Sequence, residues 1–237
     1  MIRHSAYPDG PPGPVLLAVA HGTRSARGRE QIRDLVAAAA RRRPGLAVRL
    51  AYVDVQEPRL AHLLPTLGRP AVVVPLLLSS GYHVRVDVAG AVAGGDAVAA
   101  GPLGPDQRLV DLLAERVDAA GPADAVVLAA AGSSDERSRA DVAAVARALP
   151  MPAEVAYAST SAPRVPDVVA RLRADGARRI TVAAYFLADG LFHASLHRAG
   201  ADAVTAPLAT SPVVADLILH RYDTAVGSLG RRPVGVW

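Results

Sequence analysis

The chain has 237 residues, a formal net charge of +4, 51% apolar residues and no cysteine. This apolar content is enough for a buried core, and the lack of cysteine excludes disulfides, thiolate metal sites and cysteine nucleophiles. All 26 basic residues are arginine, which also excludes a lysine Schiff base and a P-loop lysine. With this modest charge and only 4% aromatic residues, we expect no nucleic-acid partner.

The apolar segments are too short to cross a bilayer. No apolar run reaches the roughly 18 residues that a membrane span needs, so we expect no membrane partner. Residues 1–13 are polar, rich in proline and glycine, and lack the apolar stretch of a secretory signal. We interpret these residues, and residues 227–237, as flexible tails of a cytoplasmic protein.

Strands and helices alternate along the first half of the chain. Apolar runs predict strands near residues 15–20, 47–54, 71–77 and 96–100. Helical periodicity predicts helices near residues 25–42, 58–67, 83–92 and 106–119. Strands that alternate with helices favour a parallel sheet that is covered by helices on both faces.

The same alternation of strands and helices repeats after Gly121-Pro122. Strands are predicted near residues 125–130, 153–158, 179–185 and 202–205, and helices near residues 135–148, 164–175, 191–199 and 211–224. Three segments of the first half are similar in sequence to three segments of the second half, in the same order, which indicates duplication of a whole domain. We therefore predict an α/β fold of two tandem parallel-sheet lobes, related by a pseudo-two-fold axis. The first lobe comprises residues 14–121 and the second residues 122–226, in a monomer.

Two histidines follow predicted strands of the first lobe. His21 closes the run at 15–20, and His83 follows the run at 72–78 after a short link. Ligands of parallel α/β sheets bind outside the carboxyl ends of the strands, so we expect both imidazoles to face one cleft. Two neutral imidazoles suit a borderline divalent metal. Because Ala131 replaces His21 in the second lobe, we expect one active site, in the first lobe.

The motifs around these histidines resemble those of a known family. Residues 20–24 (Ala-His-Gly-Thr-Arg), residues 56–58 (Gln-Glu-Pro), and the segment from Pro75 through His83 to Asp87 resemble the motifs of the sirohydrochlorin chelatases. These enzymes are class II, ATP-independent tetrapyrrole chelatases, and some have two lobes. The resemblance implies a lyase that inserts a divalent metal, Fe²⁺ or Co²⁺, into sirohydrochlorin for sirohaem or cobalamin synthesis. The metal would be a substrate, and no nucleotide would be needed.

The resemblance also assigns roles to individual residues. His21 and His83 match the metal-facing histidines, and imidazole can serve both as a ligand and as a base for pyrrole protons. Asp54 stands where family members often carry a catalytic glutamate, and Glu57 is the alternative carboxylate. Substrate contacts are expected from seven further residues: Gly22, Thr23, Arg24, Ser80, Gly81, Tyr82 and Arg85. Of these, the two arginines would meet the carboxylate arms of sirohydrochlorin.

Other interpretations fit part of the pattern. Histidine phosphatases carry Arg-His-Gly at a first strand end, but Ala20 stands in place of that arginine, so the phosphate clamp is missing. A two-lobed carrier of a metal or a tetrapyrrole would also keep two histidines in one lobe. His193 and His197 lie one helical turn apart and could bind a metal. We interpret them as surface histidines and expect their removal to change metal insertion little.

Overall fold

The computed structural model describes residues 13–81, 88–93, 96–159 and 161–229. Within these residues strands and helices alternate as the sequence predicts. The strands are β1 (Val15–Ala20), β2 (Val48–Tyr52), β3 (Ala71–Pro75), β4 (Ala97–Ala99), β5 (Ala125–Ala130), β6 (Ala153–Tyr157), β7 (Ile180–Ala184) and β8 (Ala203–Val204). The helices are α1 (Ala26–Arg42), α2 (Leu60–Leu63), α3 (Ala89–Val92), α4 (Gln107–Ala119), α5 (Glu136–Ala148), α6 (Val165–Ala174), α7 (Leu191–Leu196) and α8 (Pro212–Leu229). Among these helices none is both long and apolar enough to cross a membrane.

The strands form two parallel sheets with the same topology. The order is β2-β1-β3-β4 in the first sheet and β6-β5-β7-β8 in the second. Every residue of β1, β3 and β7 is buried, as expected for parallel strands that are covered on both faces. The predicted α/β fold of two parallel-sheet lobes is confirmed.

The predicted helix at residues 58–67 is shorter and changes type. It consists of α2, of four residues, followed by a 3₁₀ turn at Leu64–Thr66. Pro65 lies inside this turn and has no backbone N–H for an α-helical hydrogen bond, which explains why α2 ends before it. The prediction of a helix at 83–92 falls largely outside the described residues, of which α3 is the nearest helical part.

The last helix of each half packs on the sheet of the other half. Helix α8 ends the second half but lies against α1, β3 and β4, and helix α4 ends the first half but lies against β7 and α5. The Tyr222 hydroxyl on α8 donates to the Pro14 carbonyl at 2.7 Å. The largest buried cluster consequently joins side chains of both sheets, such as Leu16 and Leu128. The predicted boundary at Gly121 therefore lies just after α4, a helix of the first half that packs against the second sheet.

Candidate active site

A cleft of about 1050 Å³ lies where the carboxyl ends of the two sheets face each other. One wall comes from the first half and contains the residues that end or follow β1, β2 and β3. The other wall comes from the second half and contains the residues that end or follow β5, β6 and β7. The position agrees with the rule that ligands of open parallel sheets bind beyond the strand ends.

Two equivalent hydrogen bonds hold the walls against each other. The Asp189 N–H, after β7, donates to Oε1 of Gln31 on α1 at 2.7 Å. The Ser80 N–H, after β3, donates to Oδ2 of Asp141 on α5 at 2.7 Å. Each half thus fixes the segment that follows the third strand of the other half, as a pseudo-two-fold axis requires.

Tyr185 adds a buried contact between the walls. It follows β7, and its hydroxyl donates to the Leu78 carbonyl, after β3, at 2.8 Å. Burial, together with the negative charges of Asp141 and Asp106, raises the pKa of Tyr185. The hydroxyl therefore keeps its proton and remains a hydrogen-bond donor near neutral pH.

His21 is exposed at the end of β1 and lines the cleft. Its carbonyl accepts a hydrogen bond from the Asp54 N–H at 3.0 Å. The next residue, Gly22, has a φ of 100°, and a Cβ atom there would lie 2.3 Å from the Asp54 carbonyl oxygen. Only glycine fits this close approach, so Gly22 fixes where the chain turns after His21.

The loop after β2 supports the same turn. Val55 has a φ of 66°, a conformation that β-branched residues rarely adopt. The next side chain, Gln56, accepts a hydrogen bond from the Thr23 N–H through Oε1 at 2.8 Å. The Thr23 hydroxyl oxygen in turn accepts from the Ser25 N–H at 3.1 Å. Val55 and Gln56 line the cleft, although neither is predicted as a site residue.

The two candidate carboxylates do not line the cleft. The Asp54 carboxylate accepts from the Val55 N–H at 2.7 Å and lies 3.1 Å from the Arg59 guanidinium. The Glu57 carboxylate accepts from the Arg59 N–H at 2.7 Å and borders a separate pocket of about 330 Å³, together with His62. A catalytic role for Asp54 therefore stays a prediction.

The segment after β3 is only partly described. Gly81 lines the cleft, whereas Ser80 contributes its N–H to the contact with Asp141 rather than to the cleft wall. The predicted residues Tyr82, His83 and Arg85 lie outside the described residues. Among the described residues no group of three or more His, Asp or Glu side chains is arranged to hold a metal.

The second half carries different groups at the matching positions. Ala131 stands where the first half has His21, and it lines the cleft. His193 is 5% exposed, so the expectation of a surface position is wrong for it. Its Nδ1 lies 2.9 Å from the Asp189 carboxylate and its Nε2 lies 3.1 Å from the Thr205 carbonyl oxygen. Because a protein oxygen atom lies within 3.1 Å of each ring nitrogen, the imidazole of His193 is not placed to bind a metal from the cleft. His197 is exposed, as expected.

Positive charge reaches the cleft from both halves. The predicted residue Arg24 lines it from the first half, and Arg139 of α5 lines it from the second. Both side chains are exposed. Arg139 is not among the predicted site residues, because its position in the sequence gives no sign that α5 borders the cleft.

Comparison with solved structures places this fold among known chelatases. SirB from Bacillus subtilis with Fe³⁺ has 21% sequence identity and a TM-score of 0.77, over 92% of this chain and 98% of that one. The sirohydrochlorin chelatase SirB from Bacillus subtilis subspecies spizizenii, in complex with cobalt, has 19% identity and a TM-score of 0.72, over 91% and 96% of the two chains. These TM-scores show a shared fold.

A third structure has the same fold. CbiX, the terminal enzyme for biosynthesis of siroheme in denitrifying bacteria, has 22% identity and a TM-score of 0.67, over 89% of this chain and 99% of that one. No curated protein matches the chain by sequence. The model of the CbiX family matches residues 15–120 and again residues 125–225. Because these two matched segments span most of the sequence, the chain belongs to the CbiX family.

Proposed function

We propose that this protein is a sirohydrochlorin chelatase that inserts Fe²⁺ or Co²⁺ into sirohydrochlorin without a nucleotide. The observation that carries the proposal is His21, exposed at the end of β1 in a cleft of about 1050 Å³, in a member of the CbiX family. Pockets for small molecules usually measure ~300–1000 Å³, so this cleft has room for a tetrapyrrole. Neighbours of the same fold are described with Fe³⁺ and with cobalt.

His21 supplies the chemistry that insertion requires. A neutral imidazole nitrogen binds a divalent metal, and few protein ligands allow the metal to be released to the macrocycle. The metal displaces two protons from the pyrrole N–H groups, and a neutral imidazole can accept such a proton. We place His83 with His21 in this role. A protonated imidazole neither binds metal nor accepts protons, so both roles need the neutral side chain.

The rest of the cleft suits the substrate. Leucine and aromatic side chains line it, among them Leu76, Tyr157 and Phe186, and they can cover an apolar macrocycle. Arg24 and Arg139 can form charge-assisted hydrogen bonds with the carboxylate arms. Since both walls come from one chain, we propose a monomer, and we place it in the cytoplasm.

An absorption assay tests this function. Purified protein is incubated anaerobically with sirohydrochlorin and Fe²⁺, Co²⁺ or Ni²⁺, and the change in the macrocycle spectrum is followed with and without ATP. We expect insertion faster than in the protein-free reaction and independent of ATP. Binding of both metal and sirohydrochlorin without faster insertion would contradict the enzyme and indicate a carrier.

A further inference from the structure

Large apolar side chains are exposed at the cleft. In the described part of the chain three such residues are exposed, Val55 at 42%, Leu191 at 77% and Phe192 at 40%. All three line the cleft, Val55 from the first half and the other two from the first turn of α7 in the second half. Exposed apolar groups that gather at one site mark a surface that contacts a ligand or a partner.

The backbone pairing shows which residues of the two halves correspond. After β3, the Leu76 N–H donates to the Val19 carbonyl at 2.7 Å, and after β7, the Tyr185 N–H donates to the Ala129 carbonyl at 2.8 Å. Leu76 and Tyr185 are therefore equivalent positions. The equivalent contacts of Ser80 and Asp189 extend this correspondence four residues further.

This correspondence assigns the counterpart of His83. The next residues along the chain are Gly81 in the first half and Gly190 in the second. His83 is the second residue after the first glycine, and Phe192 is the second residue after the other. Phe192, and not His193, thus occupies the position of His83 in the repeat.

Both positions of the predicted metal ligands have consequently become apolar in the second half. Ala131 replaces His21, and Phe192 replaces His83. We propose that Ala131, Leu191 and Phe192, here called the counter-face, pack against one face of the sirohydrochlorin macrocycle while the metal enters through the other face from the side of His21. This inference rests on the proposed function of the cleft.

The counter-face gives insertion a direction. A side chain without lone pairs cannot hold a second metal that would compete with, or repel, the metal at His21. An aromatic ring can stack against the macrocycle in an offset or edge-on arrangement. Covering Phe192 and Leu191 with the macrocycle removes apolar surface from water, which favours binding.

Replacement of Phe192 tests the contact. Phe192→Ala is expected to raise the Kd for metal-free sirohydrochlorin, measured by absorption titration, and the KM by about tenfold. Phe192→Leu should restore most of the affinity, and both variants should keep the Co²⁺ affinity and the unfolding temperature of the wild type. An unchanged Kd in Phe192→Ala, with normal insertion by the wild type, would overturn the counter-face.

Restoring the histidines tests the correspondence separately. Calorimetric titration with Co²⁺ should give one tight site in the wild type and two in the double variant Ala131→His/Phe192→His. One site in the double variant would show that these positions do not match His21 and His83, and would overturn the inference. Failure of the proposed function gives a different result from failure of this inference, because in that case the wild type itself inserts no metal.

Discussion

His21 is the predicted metal ligand that the structure places in the cleft. His21→Ala should lower the insertion rate by about 10²-fold or more, because the variant lacks the proposed metal ligand and base. The unfolding temperature should change little, since the side chain is exposed. His62→Ala is the matched control, because the His62 side chain is 75% exposed and borders a different pocket. Equal insertion rates in both variants would refute the role of His21.

The repeat offers a matched pair for testing the turn after β1. Gly22 and Gly132 have φ values of 100° and 96°. A Cβ atom would lie 2.3 Å from a backbone oxygen at Gly22 but 3.1 Å from the side-chain oxygen of Ser161 at Gly132. Gly22→Ala should therefore lower the free energy of unfolding by about 2 kcal/mol more than Gly132→Ala. Urea denaturation measures both losses, and equal losses would contradict the close approach to Asp54.

Individual site residues differ in how far the sequence reveals them. His21 is predictable because it directly follows a buried run and precedes a glycine. Gln56 belongs to a recognisable motif, but its contact with Thr23 depends on the left-handed backbone of Val55, which the side-chain type disfavours. Sequence alone leaves two candidates for the counterpart of His83, because His193 directly follows Phe192. The pairing of β5 with β7 is needed to choose Phe192.

The segment after β3 is an element whose position depends on the second half. The Asp141 carboxylate is its charged anchor, at 2.7 Å from the Ser80 N–H, and His83 follows three residues later in the sequence. Asp141→Ala should weaken Co²⁺ binding by about tenfold, because hydrogen bonds to charged groups contribute ~1.5–3 kcal/mol. Titration calorimetry measures this affinity.

The equivalent anchor in the first half provides the control. Gln31 holds the Asp189 N–H in the same way, but no predicted metal ligand follows Asp189. Gln31→Ala should leave the Co²⁺ affinity unchanged, and Asp141→Asn, which keeps an acceptor oxygen, should recover part of the loss. Equal affinities in the two alanine variants would show that Asp141 has no part in positioning the metal site.

The type of each element was easier to predict from the sequence than the elements against which it packs. Buried runs and helical periodicity place the strands and the long helices to within a few residues, because they report which side chains leave water. The same periodicity does not say which sheet an apolar helix face covers. The packing of α4 and α8 on the opposite sheets is therefore a property of the three-dimensional arrangement that no local pattern encodes.

At the scale of the whole molecule, an ion pair of the little-exposed Asp106 connects α8 to the first half. Arg221 of α8 lies 3.1 Å from this carboxylate, whose side chain is 11% exposed. Burial alone would raise the pKa of Asp106, but hydrogen bonds from Arg108 and the charges of Arg108 and Arg221 outweigh it and lower the pKa. The carboxylate thus stabilises the fold above the unfolded pKa of about 3.9, and this stabilisation is lost as the pH falls through the lower folded value.

Replacement of Asp106 tests this dependence on pH. The free energy of unfolding of the wild type, measured with urea from pH 7 to pH 2.5, should decline at the acid end. Asp106→Asn should be less stable than the wild type at pH 7, and the difference should shrink toward pH 2.5. A difference that stays constant over this range would show that the ionisation of Asp106 does not contribute.

The packing of α8 on β3 and β4 also determines when the first half can fold during synthesis. Domains commonly fold one after another as they leave the ribosome. Here the helix that covers the first sheet is translated after both sheets, so β3 and β4 lack this cover while the second half is being made. We therefore expect β3 and β4 to complete their packing only after α8 has been translated.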